Sequence, residues 1–219
     1  MLPFTVEQFF SVFAAYNQAI WPAHVVAYLG GVGAMWAIAS RHRWAGCAAA
    51  GVLGVMWLWN GLAYHLAFFA PINPAAYGFA ALFVIQGALF IGHGVIGNGL
   101  SFAKPFDWRS ALGILLCAYA GFLYPALGYL LGHAWPYAPM FGVAPCPTTI
   151  FTLGALMLAV GPLPVWLVAI PVVWSAIGGT AALLLKVPED FGLLASGILG
   201  AALLPFWGYG RVDRSRAAV

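Results

Sequence analysis

Seven apolar stretches constrain this chain more than any other feature in it. They run over about 20–40, 45–70, 74–98, 110–132, 147–161, 162–185 and 190–210, and a helix needs roughly 20 apolar residues to cross a hydrocarbon core. Charged residues make up 6% of the chain and hydrophobic ones 64%, whereas about a quarter of a soluble domain is charged. A water-exposed surface cannot be built from that composition. The expected fold class is therefore an all-α polytopic membrane protein of seven transmembrane helices, with the lipid bilayer as its first partner. The fifth span is short and breaks from the sixth at "GPLPVW", where Gly161, Pro162 and Pro164 force a turn.

The residues before the first span differ in kind. In "FTVEQFFSVFAAYNQAI", Thr5 and Gln8 form a capping-box pattern, and Phe9, Phe10 and Phe13 alternate with Glu7, Gln8 and Asn17. That pattern predicts a short helix lying in the membrane interface. With no basic n-region and no small-residue cleavage site, Met1 to Ile20 does not read as a removable signal peptide. The expected organisation is a single membrane domain over 1–219. Residues 1–19 form the interfacial helix, 20–100 helices 1–3, 110–132 helix 4, 147–210 helices 5–7, and 211–219 a cytoplasmic tail.

Orientation follows from the cations. With the N-terminus outside, Arg41, Arg43, Lys104, Arg109, Arg211, Arg214 and Arg216 fall inside and Lys186 alone falls outside, as the positive-inside rule asks. Trp44, Trp108, Trp166 and Trp207 then lie near the inner interface, and Trp21 and Trp135 near the outer one. The expected location is the cell (inner) membrane of a bacterium, N-out and C-in. A net charge of +3 is too small and too scattered for a nucleic-acid surface.

The chain partly matches itself. "WNGLAYHLAFF" from Trp59 aligns with "WSAIGGTAALL" from Trp174, and "PAAYGFAALFVIQGALF" from Pro74 with "PEDFGLLASGILGAALL" from Pro188. Helices 1–3 would thus repeat as 5–7 around helix 4, a parallel repeat about the membrane normal. This 3+1+3 layout resembles the topology of the SWEET and PQ-loop seven-helix transporters, but their Pro-Gln pair does not occur. On "WNGLAYHLAFFAPINPAA", "YPALGYLLGH" and "FGVAPCPTTIFTLG", the chain more closely resembles a family of small bacterial membrane proteins of unknown function. That resemblance implies membership and no activity.

The polar residues inside the spans are the candidate site. Asn60 and Gln86 lie about ten and twelve residues below the outer ends of their helices, which is near the bilayer midplane at about 1.5 Å per residue. Such amides either tie neighbouring helices or contact a solute where repeat transporters bind it. On an α-helix Tyr64 shares the face of Asn60, whereas His65 points roughly 140° away, so the stretch offers two polar faces.

Towards the outer ends lie Asn73, His133 and the "APCPTTIF" run. There Pro147 suits a first helical position, and the Cys146 thiol would gain thiolate character from the helix dipole. Thr148 and Thr149 would present hydroxyls and N–H groups to an anion or polar ligand, or simply cap the backbone. His24, His65, His133, Cys146, Glu189 and Asp190 map to one side of the membrane. The first four are candidate ligands of a metal or haem, although no ligand spacing supports them. Cys47 and Cys117 read as small core residues.

Three function classes stay open. One binds or translocates a small polar solute through Asn60, Tyr64, His65, Asn73, Gln86, His133, Cys146, Thr148 and Thr149. The second is a membrane redox or hydrolytic enzyme built on an outward His/Cys metal or haem site. The third is an accessory subunit, self-associating or bound to a partner subunit. The lack of a mid-membrane lysine excludes a retinal Schiff base, and the expectation that no span holds a buried carboxylate weighs against an acidic proton relay.

Overall fold

The computed structural model describes residues 3–102, 106–161, 163–185 and 187–204. Lys104, Lys186, Arg211, Arg214, Arg216, Trp207 and the 211–219 tail, on which part of the orientation argument rests, lie outside the described residues, as does Pro162 of the expected break. Among the described residues the fold is all-α, without strands. Helix α1 spans Val6–Ala19, α2 Ala23–Ser40, α3 Ala45–Phe69, α4 Ala76–Ile96 and α5 Trp108–Leu130. Then follow α6 at Pro145–Met157, α7 at Val165–Leu185 and α8 at Phe191–Leu203.

Five of these, α2 to α5 and α7, are long and apolar enough to cross a membrane. Their unpartnered faces carry large exposed hydrophobics such as Val26, Leu29, Trp36, Val55, Leu62 and Leu183, the side chains that lipid would solvate. The described parts of the remaining two expected spans, α6 and α8, are 13 residues each. Helix α6 is the centre of the bundle. Every residue from Pro147 to Met157 is buried, and it packs on α5, α7 and α8.

Small residues set the closest approaches. A Cβ on Gly113 would lie 2.6 Å from the Gly154 carbonyl oxygen, and one on Gly154 would lie 2.7 Å from that of Gly113. Helices α5 and α6 therefore meet backbone to backbone, the contact that small residues permit between membrane helices.

Three of the long helices change winding. The segments Asn60–Phe69 in α3, Phe90–Ile96 in α4 and Tyr119–Leu123 in α5 are π-helical, with i→i+5 bonds such as Ala70 N–H to His65 O at 2.9 Å. Nothing in the local sequence announces this. π-turns are uncommon and are often found at functional sites.

The expected capping box is present: Gln8 N–H donates to Thr5 Oγ1 at 3.2 Å, and Thr5 N–H to Gln8 Oε1 at 2.8 Å. The inner face of α1 is, however, a tertiary contact rather than a free membrane-facing stripe. Tyr16 donates to Val143 O at 2.7 Å and accepts from Trp59 Nε1 at 2.7 Å. Asn17 donates to Pro136 O at 2.6 Å and Ala138 O at 2.8 Å, and its Oδ1 accepts from His24 Nε2 at 3.0 Å. Helix α1 is thereby pinned across one end of the bundle, onto the loop that joins α5 to α6.

Candidate functional site

Beneath α1 lies a cavity of about 390 Å³. It sits where the C-terminal ends of α3 and α7 meet the N-terminal ends of α4 and α6 and the turn ahead of α8. Phe4, Phe9 and Phe13 roof it, and Phe69, Phe79 and Trp174 wall it. Its rim includes Thr180 and Leu184, which are exposed on the outer surface of α7, so it opens sideways as well as under α1. The polar groups along it are Tyr64, His65, Asn73, Cys146 and Asp190.

Tyr64 and His65 both fall inside the bundle and both border the cavity. Their rings stand 5.1 Å apart. The expected angle of about 140° is that between Asn60 and His65 on an α-helix. The i→i+5 winding rotates each residue less, so over the five steps from Asn60 it turns His65 back towards the face of Asn60. The expectation of two incompatible polar faces is corrected here, because it assumed α geometry. His65 packs edge-on to Phe83 at 4.7 Å and Trp174 at 5.1 Å. It is fully buried, and neither ring nitrogen has a hydrogen-bond partner; nor does Trp174 Nε1. A buried polar atom without a partner costs about 1–3 kcal/mol, so these groups stand out at a cavity edge.

Asp190, in the turn before α8 and outside the five long helices, is 4% exposed. Tyr124 donates to its Oδ1 at 2.6 Å, and the Cys146 thiol lies beside it. Burial pushes its carboxyl up to about 7, against the pull of the Tyr124 and Cys146 hydrogen bonds. The neighbouring Glu189 has an imidazole partner, His133, whose Nδ1 stands 3.0 Å from its Oε1. Among the described residues Asp190 has no such partner, and no lysine or arginine lines the cavity.

The remaining candidates fall elsewhere. Asn60 Nδ2 donates to Met56 O at 2.8 Å and to Gly142 O and Thr148 Oγ1 at 3.3 Å. Gln86 Nε2 donates to Leu167 O at 2.9 Å. Each amide nitrogen ties its helix to a neighbouring segment, while Asn60 Oδ1 and Gln86 Oε1 are buried without a hydrogen-bond partner, and neither residue lines the cavity. Asn73 sits at the rim with its Oδ1 accepting from Ala75 N–H at 3.2 Å.

Thr148 and Thr149 do not face outward. Both are buried, and their hydroxyls return to Ala144 O at 2.7 Å and Pro145 O at 2.9 Å. Cys146 does stand in the first turn of α6, but it is next to Asp190. His24 is engaged by Asn17, and His133 by Glu189 and by the Phe10 ring at 4.0 Å. Among the described residues no three His, Cys, Asp or Glu side chains converge as a metal site would require.

Sequence reasoning missed the aromatic walls and the Tyr124–Asp190 contact. Trp174 had drawn notice only as a repeat match, and Tyr124 only inside a quoted run.

The family model described as "Family of unknown function (DUF6064)" matches residues 6–214. No curated protein and no solved structure matches the chain.

Proposed function

Because the chain belongs to the DUF6064 family, whose description transfers no activity, we propose its function from the cavity itself: this membrane protein binds a small, mostly apolar molecule with a polar head beneath α1. The observation that carries the reading is the 390 Å³ space with aromatic roof and walls, edged by buried polar groups that lack partners. Mostly apolar pockets with a few convergent polar groups are the usual form of small-molecule sites. The side opening at Thr180 and Leu184 suits a molecule that arrives dissolved in the bilayer. The solute is therefore amphipathic rather than simply polar, and its contacts are Tyr64, His65, Asn73 and Cys146, with Asp190 and Trp174 added.

The same reading keeps seven spans, with α6 and α8 completing the count, the N-terminus outside and the tail in the cytoplasm. The cavity then lies in the outer half, where a bound molecule can exchange between bilayer and exterior. Consecutive contacts within α2–α4 and within α6–α8 are what a 3+1+3 repeat would produce.

The test uses para-fluoro-neopentylbenzene, a compact apolar probe, with protein reconstituted in lipid nanodiscs. Saturable binding seen by ¹⁹F NMR, lost in Ala181→Trp, supports the cavity as a site. Partitioning into lipid alone, equal with and without protein, overturns it.

A further inference from the structure

Two adjacent carboxylates in the turn ahead of α8 have different surroundings. Glu189 faces the His133 imidazole at 3.0 Å. Asp190 faces Tyr64 from α3, Tyr119 and Tyr124 from α5, Cys146 from α6 and Glu189 from its own turn. All of these are neutral or, when ionised, negative; the cavity's imidazole is His65. Among the described residues no lysine or arginine faces Asp190, and a buried carboxylate so placed carries a large desolvation cost that an opposite charge would offset. The same cavity is lined by the aromatic rings of Phe13, Tyr64, Phe69, Phe79 and Trp174. Aromatic faces within about 6 Å of a cation attract it, more strongly when water is excluded.

We infer that the molecule held in this cavity is a hydrophobic organic cation, an amine or quaternary ammonium on an apolar body, with its charge on Asp190 and its body in the aromatic cage. The inference rests on the binding reading above and names the ligand class of that same site. Asp190 then acts as a switch between two occupants. A proton neutralises it when the site is empty, and the cation replaces that proton when the site is filled. With the carboxyl pushed up to about 7, the exchange falls in the ordinary physiological range.

The test compares para-fluoro-benzyltrimethylammonium with para-fluoro-neopentylbenzene, its uncharged carbon isostere, by ¹⁹F NMR on nanodisc-reconstituted protein. Wild type is expected to hold the cation at least about tenfold more tightly than the isostere at about pH 8. Its affinity for the cation should fall about tenfold from about pH 8 to about pH 6, as Asp190 takes up a proton. Asp190→Asn should lose the preference and the pH dependence while still binding the isostere. Should Asp190→Asn fail to fold, it would bind neither probe, and the wild-type comparison and pH profile decide alone. A wild type that binds the isostere as well as the cation, or binds the cation equally at both pH values, overturns the cationic ligand and leaves the cavity reading standing. So does cation binding unchanged in Asp190→Asn. Binding of neither probe by wild type overturns both.

Discussion

The Tyr124 hydroxyl donates to Asp190 Oδ1 at 2.6 Å, joining α5 to the turn ahead of α8 at the floor of the cavity. A short bond from a neutral donor to a buried carboxyl stabilises its ionised form, so Tyr124 helps set the pH at which Asp190 becomes a charge. Tyr124→Phe removes the donor without removing the ring. The expected outcome is a cation-binding profile displaced to higher pH with uniform binding of the neutral isostere. A profile that stays in place would show that the bond does not govern the carboxyl.

The same carboxyl makes stability depend on pH in the direction opposite to an ordinary surface aspartate. Its folded value, about 7, lies above the usual 3.8, so between about pH 4 and about pH 7 the folded state binds more protons than the unfolded state. The contribution of Asp190 is fully present below about 4 and is lost as pH rises through about 7. Thermal unfolding in detergent should therefore give a lower Tm at pH 8 than at pH 5.5, and Asp190→Asn should flatten that difference.

Asn60→Ala and Gln86→Ala separate helix ties from ligand contacts. Each removes an amide donor that binds backbone outside its own helix, Gly142 O for Asn60 and Leu167 O for Gln86, and hydrogen bonds of this kind contribute about 1 kcal/mol. Both variants should unfold at lower temperature and give the wild-type probe titration. A selective loss of probe binding in either one would return the site to the bilayer midplane.

Gly154→Val tests the α5–α6 contact. Even the first carbon of the new side chain would meet Gly113 O at 2.7 Å and Cys117 Sγ at 2.9 Å, and backbone cannot yield there without separating the helices. Overpacking costs about 1–3 kcal/mol or more. Loss of monodisperse protein on size exclusion, or a fall of several degrees in Tm, is the expected result.

Asn17→Leu should loosen the roof. The side chain bonds Pro136 O, Ala138 O and His24, and all three partners would be left unpaired. In a Cys47→Ala background, alkylation of Cys146 by a small maleimide should speed up, because α1 and its Phe9 and Phe13 cover the route to it. An unchanged rate would place the working route at the side opening by Thr180.

The chain's residues carried, without help from the fold, that it is helical and apolar enough for a membrane and that Thr5 and Gln8 begin a helix. Those are properties of single residues and of short spacings: hydropathy adds along the chain, and a cap reads only its neighbours. What the tertiary structure decided was which polar atoms are spent on packing and which are left beside a space. Asn60 Nδ2 found partners in Met56, Gly142 and Thr148 though its Oδ1 did not, whereas neither ring nitrogen of His65, five residues on, found one. The turn to π winding at Asn60 swung His65 back towards the face of Asn60 and into the bundle, and no local propensity signals it. A cavity is the volume that packed helices fail to fill, so it exists only once all of them are in place. The buried carboxyl of Asp190 likewise gained its meaning from Tyr124 and Cys146, 66 residues and more than 40 residues away along the chain.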